Sequence, residues 1–170
     1  MNLPNILSLS RIFLLLPIII FFYKSFYLLS LIIFITAAIT DYLDGYIARK
    51  KNQNSDQGAL LDLLSDKIFV SILLIWMTFF FDSLLILFST LLIVSREITV
   101  SYLRLYLVSK SISIDDVKAD VLGKLKTSFQ MIGIALILIS PYFSDLVFYT
   151  SAIFLMLSAI LSWASLLNYF

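Results

Sequence analysis

The sequence predicts an all-α integral membrane protein: six transmembrane helices with a polar, metal-binding cavity at the cytoplasmic face. Three observations carry that expectation. Of 170 residues, 61% are hydrophobic and 14% charged, with a mean hydropathy of +1.03. Soluble domains are about half apolar and roughly a quarter charged. The apolar excess runs the whole length, so residues 1–170 read as a single membrane domain. The ionisable residues that remain gather toward one end of the expected helices.

A spanning helix needs about 20 mainly apolar residues, and six segments qualify: 6–23, 26–48, 59–81, 83–108, 121–140 and 145–167. The first is too long, and lacks the small-residue cleavage site, to be a secretory signal. The second opens after Lys24-Ser25 and ends in TDYLDGYIARK. The third follows a basic, polar linker, 49–58, and opens on an aspartate-bearing stretch. The fourth starts beyond Phe81-Asp82-Ser83 and carries Arg96-Glu97 inside a run of Leu, Ile and Val. The fifth follows the 109–120 loop, and the sixth follows Pro141-Tyr142-Phe143-Ser144-Asp145. Of the twelve basic residues only Lys24 falls on the short-turn side. Basic residues near helix ends mark the cytoplasmic side, so both termini are expected inside. Of the eleven acids, only Asp82 and Asp145 sit on the outer turns.

The chain has no cysteine, which excludes thiolate catalysis, disulfides and cysteine metal sites. It has no histidine either, so proton transfer near neutral pH falls to a carboxylate, Lys, Tyr or a metal-activated water. Asp41 and Asp44 are three apart and Asp62 and Asp66 four apart, so each pair shares a helical face. Four ionised aspartates facing lipid would oppose insertion by roughly 10 kcal/mol. They are therefore expected to face a hydrated interior, where their mutual repulsion raises each other's pKa. Bound cations relieve that repulsion, and oxygen ligands suit Mg²⁺, Mn²⁺ or Ca²⁺, which makes a two-metal site the natural inference. The competing reading is a structural cluster: Asp41 as a helix N-cap, Asp56 solvated in a loop, Asp62 and Asp66 paired with Arg49 and Lys67. Gly45 and Gly58, at fixed offsets from the aspartates, argue against it: without a Cβ each leaves its helix face open to a ligand. Simple helix packing is the plainer role for Gly45.

The run Asp41-x₂-Asp44-Gly45-x₂-Ala48-Arg49-x₈-Gly58-x₃-Asp62-x₃-Asp66 resembles the signature of the CDP-alcohol phosphatidyltransferases at all eight constrained positions. The six-helix layout extends that resemblance over essentially the whole chain. It implies transfer of a phosphatidyl group from a CDP-activated lipid to an alcohol, with release of CMP. It further implies that Asp41, Asp44, Asp62 and Asp66 hold two Mg²⁺ or Mn²⁺ ions, and that Asp66 also takes the alcohol proton. Gly45, Arg49, Ser55 and Gly58 should lie along the CDP moiety, with Asn5 and Ser8 as candidates for contact with the cytidine or its phosphates. Interfacial anchoring is the plainer role for the last two.

Three further stretches resemble the phosphatidylglycerophosphate synthase branch: MNLPNILSLSRI at the N-terminus, VSREITVSYLR at 94–104 and GKLKTSFQM at 123–131. That branch implies CDP-diacylglycerol and glycerol 3-phosphate as substrates. Arg96, Arg104, Lys124, Lys126 and Thr127 are the candidates to hold the acceptor's phosphate by charge-assisted hydrogen bonds. For Lys124 and Lys126 the plainer alternative is contact with anionic headgroups. The resemblance also implies a homodimer in a bacterial-type inner membrane, in contact with membrane lipid, with its active site facing the cytoplasm. No nucleic-acid partner is expected. The runner-up within the class is a cardiolipin or phosphatidylinositol-phosphate synthase. From another class comes a divalent-cation transporter, which the single, one-sided acidic cluster disfavours, because transporters commonly repeat their site features in two halves.

Overall fold

The computed structural model describes the backbone of residues 3–51, 56–109 and 121–167, and the side chains of 10–40, 64–103, 106, 123 and 125–166. Among the described residues there are six α-helices: α1 (Leu3–Tyr23), α2 (Tyr27–Lys51), α3 (Asp56–Phe81), α4 (Leu84–Ser109), α5 (Val121–Ile139) and α6 (Asp145–Leu167). Each boundary lies within three residues of the apolar segment that predicts it. Two expectations are corrected. The 49–58 linker is shorter, because α2 continues to Lys51 and α3 begins at Asp56. Nothing in Ala-Arg-Lys-Lys stops a helix, and an acid in the first helical turn suits the macrodipole, so Asp56 opens a helix instead of standing in a loop. Asp41 likewise lies well inside α2 and is not an N-cap.

Four stretches are long and apolar enough to cross a membrane: Leu64–Phe81, Leu84–Leu103, Leu125–Tyr142 and Asp145–Leu166. The apolar parts of α1 and α2 among the described residues are shorter, Ser10–Tyr23 and Tyr27–Thr40. Both helices are nonetheless long enough at about 1.5 Å per residue to match a hydrocarbon core of about 30 Å. The outer surface is apolar, with Phe13, Phe79, Phe88 and Leu146 exposed, while serines such as Ser30, Ser89, Ser158 and Ser162 are buried. That inversion suits a bundle whose solvent is lipid: apolar side chains face the hydrocarbon, and polar ones find partners inside.

Tight turns make successive helices antiparallel. Ser25 takes a left-handed conformation (φ 64°) just beyond α1. Its N–H donates to the Phe22 carbonyl at 2.9 Å, and the Phe26 N–H reaches back to Phe21 at 2.8 Å. This is the Schellman pattern, completed by the contact of the Phe21 and Phe26 rings at 6.4 Å. Glycine is the residue that adopts this conformation without steric cost. Ser25→Gly is therefore expected to raise stability by about 1 kcal/mol, read as a higher thermal midpoint in detergent. Asp82 (φ 45°) also takes a left-handed conformation where α3 turns into α4, its N–H donating to the Thr78 carbonyl at 3.1 Å.

At this end Phe22, fully buried, meets the rings of Tyr27, Trp76 and Phe80 at 4.9, 5.2 and 5.0 Å. Ser30 Oγ donates to the Ile18 carbonyl at 2.9 Å, which fixes the register of α2 on α1. Helix α1 packs against both α2 and α3, and the pair α5 and α6 packs closely. There a Cβ on Gly133 would stand 2.9 Å from Leu155 Cγ and 3.2 Å from the Leu155 backbone nitrogen. Because the backbone itself must give way, Gly133→Ala should destabilise the fold by about 1–3 kcal/mol, measured by thermal unfolding.

Candidate active site

The residues singled out from the sequence gather toward one end of the bundle, where α1, α3 and α5 begin and α2, α4 and α6 finish. Asp41, Asp44, Gly45 and Arg49 stand on the last turns of α2, and Gly58, Asp62 and Asp66 on the first three turns of α3. Asn5 and Ser8 open α1, Arg104 lies near the end of α4, and Lys124 near the start of α5. Ser55 lies outside the described residues, as do the side chains of Asn5, Ser8, Asp41, Asp44, Gly45, Arg49, Gly58, Asp62, Arg104 and Lys124. Among the described residues no three carboxylates converge.

What the structure does bring together is a buried ionic cluster centred on Glu97. Its carboxylate takes Arg96 Nη1 at 3.0 Å, Lys67 Nζ at 3.4 Å, and Lys126 Nζ. The four side chains come from α3, α4 and α5. Lys67 Nζ also donates to the Glu97 backbone carbonyl at 3.1 Å and to Ser101 Oγ. Ser101 Oγ in turn donates to that same carbonyl at 2.7 Å. Helix α6 closes the back: Arg96 Nε donates to the Ser162 carbonyl at 3.0 Å and Ser158 Oγ to the Lys126 carbonyl at 2.9 Å. Trp163 Nε1 adds a bond to the Leu92 carbonyl at 3.0 Å.

Burial sorts these groups. The side chains of Arg96 and Lys126 are 4% and 9% exposed, those of Lys67 and Glu97 15% and 16%. Arg96 is thus the rear anchor, whereas Lys67 and Glu97 keep an open edge. Three cations face the one carboxylate of Glu97, and Lys67 has a further partner besides. A cation-rich group of this kind suits an anion such as a phosphate monoester, which carries about −1.5 to −2 near neutral pH. Half-buried Asp66 immediately precedes Lys67 and is itself engaged. The carboxylate singled out from the motif therefore stands next to the cluster along α3. Thr127 is exposed on α5, one residue beyond Lys126, and is itself engaged.

Sequence reasoning singled out Arg96 and Lys126, named Lys67 only as an ion-pair partner of the motif aspartates, and gave Glu97 no binding role. The available signal was local for each: Lys67 adjoins Asp66, and Glu97 is the only glutamate in the chain. Arg11, read from the sequence only as part of the N-terminal face it shares with Asn5 and Ser8, is 2% exposed among apolar neighbours on α1.

Comparison with known proteins bears on this arrangement. A family model described as CDP-alcohol phosphatidyltransferase matches residues 1–166. The chain is 38% identical over 175 residues to a CDP-diacylglycerol–glycerol-3-phosphate 3-phosphatidyltransferase of Wigglesworthia glossinidia brevipalpis, covering 100% of this chain and 93% of that protein. It is 33% identical over 171 residues to the protein of the same name from Salmonella choleraesuis (strain SC-B67), covering 99% of this chain and 92% of the relative. The protein of that name from Escherichia coli (strain K12) is 33% identical over 175 residues, with the same coverage.

Proposed function

The chain belongs to the CDP-alcohol phosphatidyltransferase family, and from that premise we propose that it makes phosphatidylglycerophosphate and CMP from CDP-diacylglycerol and glycerol 3-phosphate. The observation that carries the choice of acceptor is the Glu97 cluster. Its three cations gather beside Asp66 and suit an alcohol that bears its own phosphate.

In this reading Lys67 and Lys126 hold the acceptor's phosphate, with Arg96 fixed behind them and Arg104 and Lys124 at the mouth. Asp66 accepts the proton of the acceptor hydroxyl as its oxygen attacks the phosphorus joined to diacylglycerol. The bond from that phosphorus to the bridging pyrophosphate oxygen breaks, and CMP leaves. The lipid tails would lie along the apolar groove that Phe34, Ala38, Met131 and Ala135 line between α2 and α5, within two turns of Asp41.

Asp41, Asp44, Asp62 and Asp66 are the proposed holders of two divalent ions. The donor set fits: a chain without histidine or cysteine offers oxygen ligands alone, the choice of Mg²⁺ or Mn²⁺. When bound, such a pair supplies charge stabilisation for an in-line displacement at phosphorus. Gly45 and Gly58 leave room along α2 and α3 for the CDP moiety, Arg49 donates to its phosphates, and Ser55, Asn5 and Ser8 complete that side. The excess of basic residues at this end supports a cytoplasmic active site in a bacterial-type inner membrane. A homodimeric assembly is part of the same proposal.

The test is an acceptor panel with the purified protein, CDP-diacylglycerol and Mg²⁺ or Mn²⁺. Turnover with glycerol 3-phosphate well above that with inositol, inositol phosphate, serine or phosphatidylglycerol is the expected result. Preference for any of the others would overturn the acceptor assignment while leaving the family membership intact.

A further inference from the structure

Arg11 occupies a place where its helix wants an apolar residue. With Leu15, Ile18 and Phe22 it forms the buried stripe of α1, at spacings of four, three and four residues. Arg11 is 2% exposed, less than Leu15 at 4%. A guanidinium so enclosed persists only with compensating partners, and Arg11 is indeed engaged.

Register gives its level. The Ser30–Ile18 hydrogen bond aligns antiparallel α2 with α1, which sets Arg11 near Ala37 and Ala38, one turn short of Asp41. The contacts of Phe22 with Trp76 and Phe80 align parallel α3, which sets Arg11 near Asp66 and Lys67. Ala37 is 1% exposed, and its small side chain lets α1 and α2 approach closely at this level. Helical side chains lean toward their own N-terminus, so Arg11 leans toward the end of the bundle that carries the motif.

Packing among the described helices then points to its counter-charge. Glu97 is held by Lys67, Arg96 and Lys126. Asp82 and Asp145 stand at the opposite ends of α3 and α6. Among the described helices α1 packs chiefly against α2 and α3, and both carry aspartates at this end. We propose that Arg11 is a positioning residue. Its guanidinium, set in α1 between α2 and α3, is the built-in counter-cation of the aspartate-bearing helix ends and holds them at a fixed spacing before any ligand arrives. A planar fork that stays charged serves two helices at once, which a lysine ammonium does less well.

This rests on the reading of the motif aspartates as the reaction centre, and its test separates the two. The chain has no cysteine, so Lys50→Cys with Gln57→Cys gives two unique spin-label sites, one near each helix end. The full-length protein is measured in nanodiscs, free of metal and substrate, with Arg11 and as Arg11→Met and Arg11→Lys. The expected result is a narrow inter-label distance distribution with Arg11, a broad one in Arg11→Met and partial narrowing in Arg11→Lys. In cysteine-free protein, Arg11→Met should lower kcat about a hundredfold, the order lost when reacting groups shift by roughly 1 Å. The KM for glycerol 3-phosphate should stay within about twofold. An unchanged distance distribution in Arg11→Met, or a kcat near wild type, overturns the proposal. Absence of turnover in every form, with the distances behaving as expected, would instead count against the reading of the reaction.

Discussion

Asp66→Asn is expected to abolish turnover while leaving the protein folded. The substitution keeps the size of the side chain but removes the proton acceptor, and the chain holds no histidine to take over the role. Loss of a general base alone costs about 10²–10⁴-fold. Asp66 is also proposed to hold a divalent ion, so the total loss should reach at least the upper part of that range. Its half-buried position at the third turn of α3 is no part of the apolar core, so the thermal midpoint should fall little. The check is initial rate by CMP release, with thermal unfolding in parallel. A variant that retains a tenth of the wild-type rate would mean that Asp66 is not the base.

Glu97→Gln should produce the second largest effect, on stability as well as on rate. The carboxylate is the shared partner of Lys67, Arg96 and Lys126 and sits within the Leu84–Leu103 span. Removing one member of a buried ion network leaves the others uncompensated, at about 3–5 kcal/mol. Three cations without a carboxylate should then be rescued by an external anion. Glycerol 3-phosphate, or inorganic phosphate, is expected to raise the thermal midpoint of Glu97→Gln more than that of the wild type, because ligand binding stabilises the folded state in proportion to affinity. The rate should fall even so, since Lys67 and Lys126 lose the group that fixes them. A midpoint within a degree of wild type, with no added response to phosphate, would show that Glu97 is not the organiser of the cluster.

The fold was largely legible in the sequence because lipid imposes one strong rule on it. Apolar runs of about 20 residues can only be helices in such a solvent, and the six segments match α1 to α6 closely. The turns were legible too, since Ser25, Asp82 and Pro141 interrupt those runs at the places where the chain reverses. The limits of the 49–58 linker were not: its charged residues break the apolar pattern without breaking the helix, so α2 extends to Lys51 and α3 starts at Asp56. The aspartates stood out because ionised groups are rare in such a chain and their spacing repeats on one helical face. Glu97 stood out only as one of an ionisable pair with Arg96 inside an apolar run, and its lysine partners could not be read from that. The lysines that Glu97 joins come from α3 and α5, 30 residues before and 29 after it. Arg11 looks like an interfacial basic residue until α2 and α3 close around its helix.

The central claim is that an alcohol oxygen from glycerol 3-phosphate displaces CMP at the phosphorus of CDP-diacylglycerol, within this one chain. Mass spectrometry with glycerol 3-phosphate carrying ¹⁸O in its free hydroxyls tests it directly. The purified protein should form CMP and phosphatidylglycerophosphate in equal amounts, with ¹⁸O retained in the lipid product and absent from CMP. CMP released without acceptor, in excess of the lipid product, or carrying the label would contradict it.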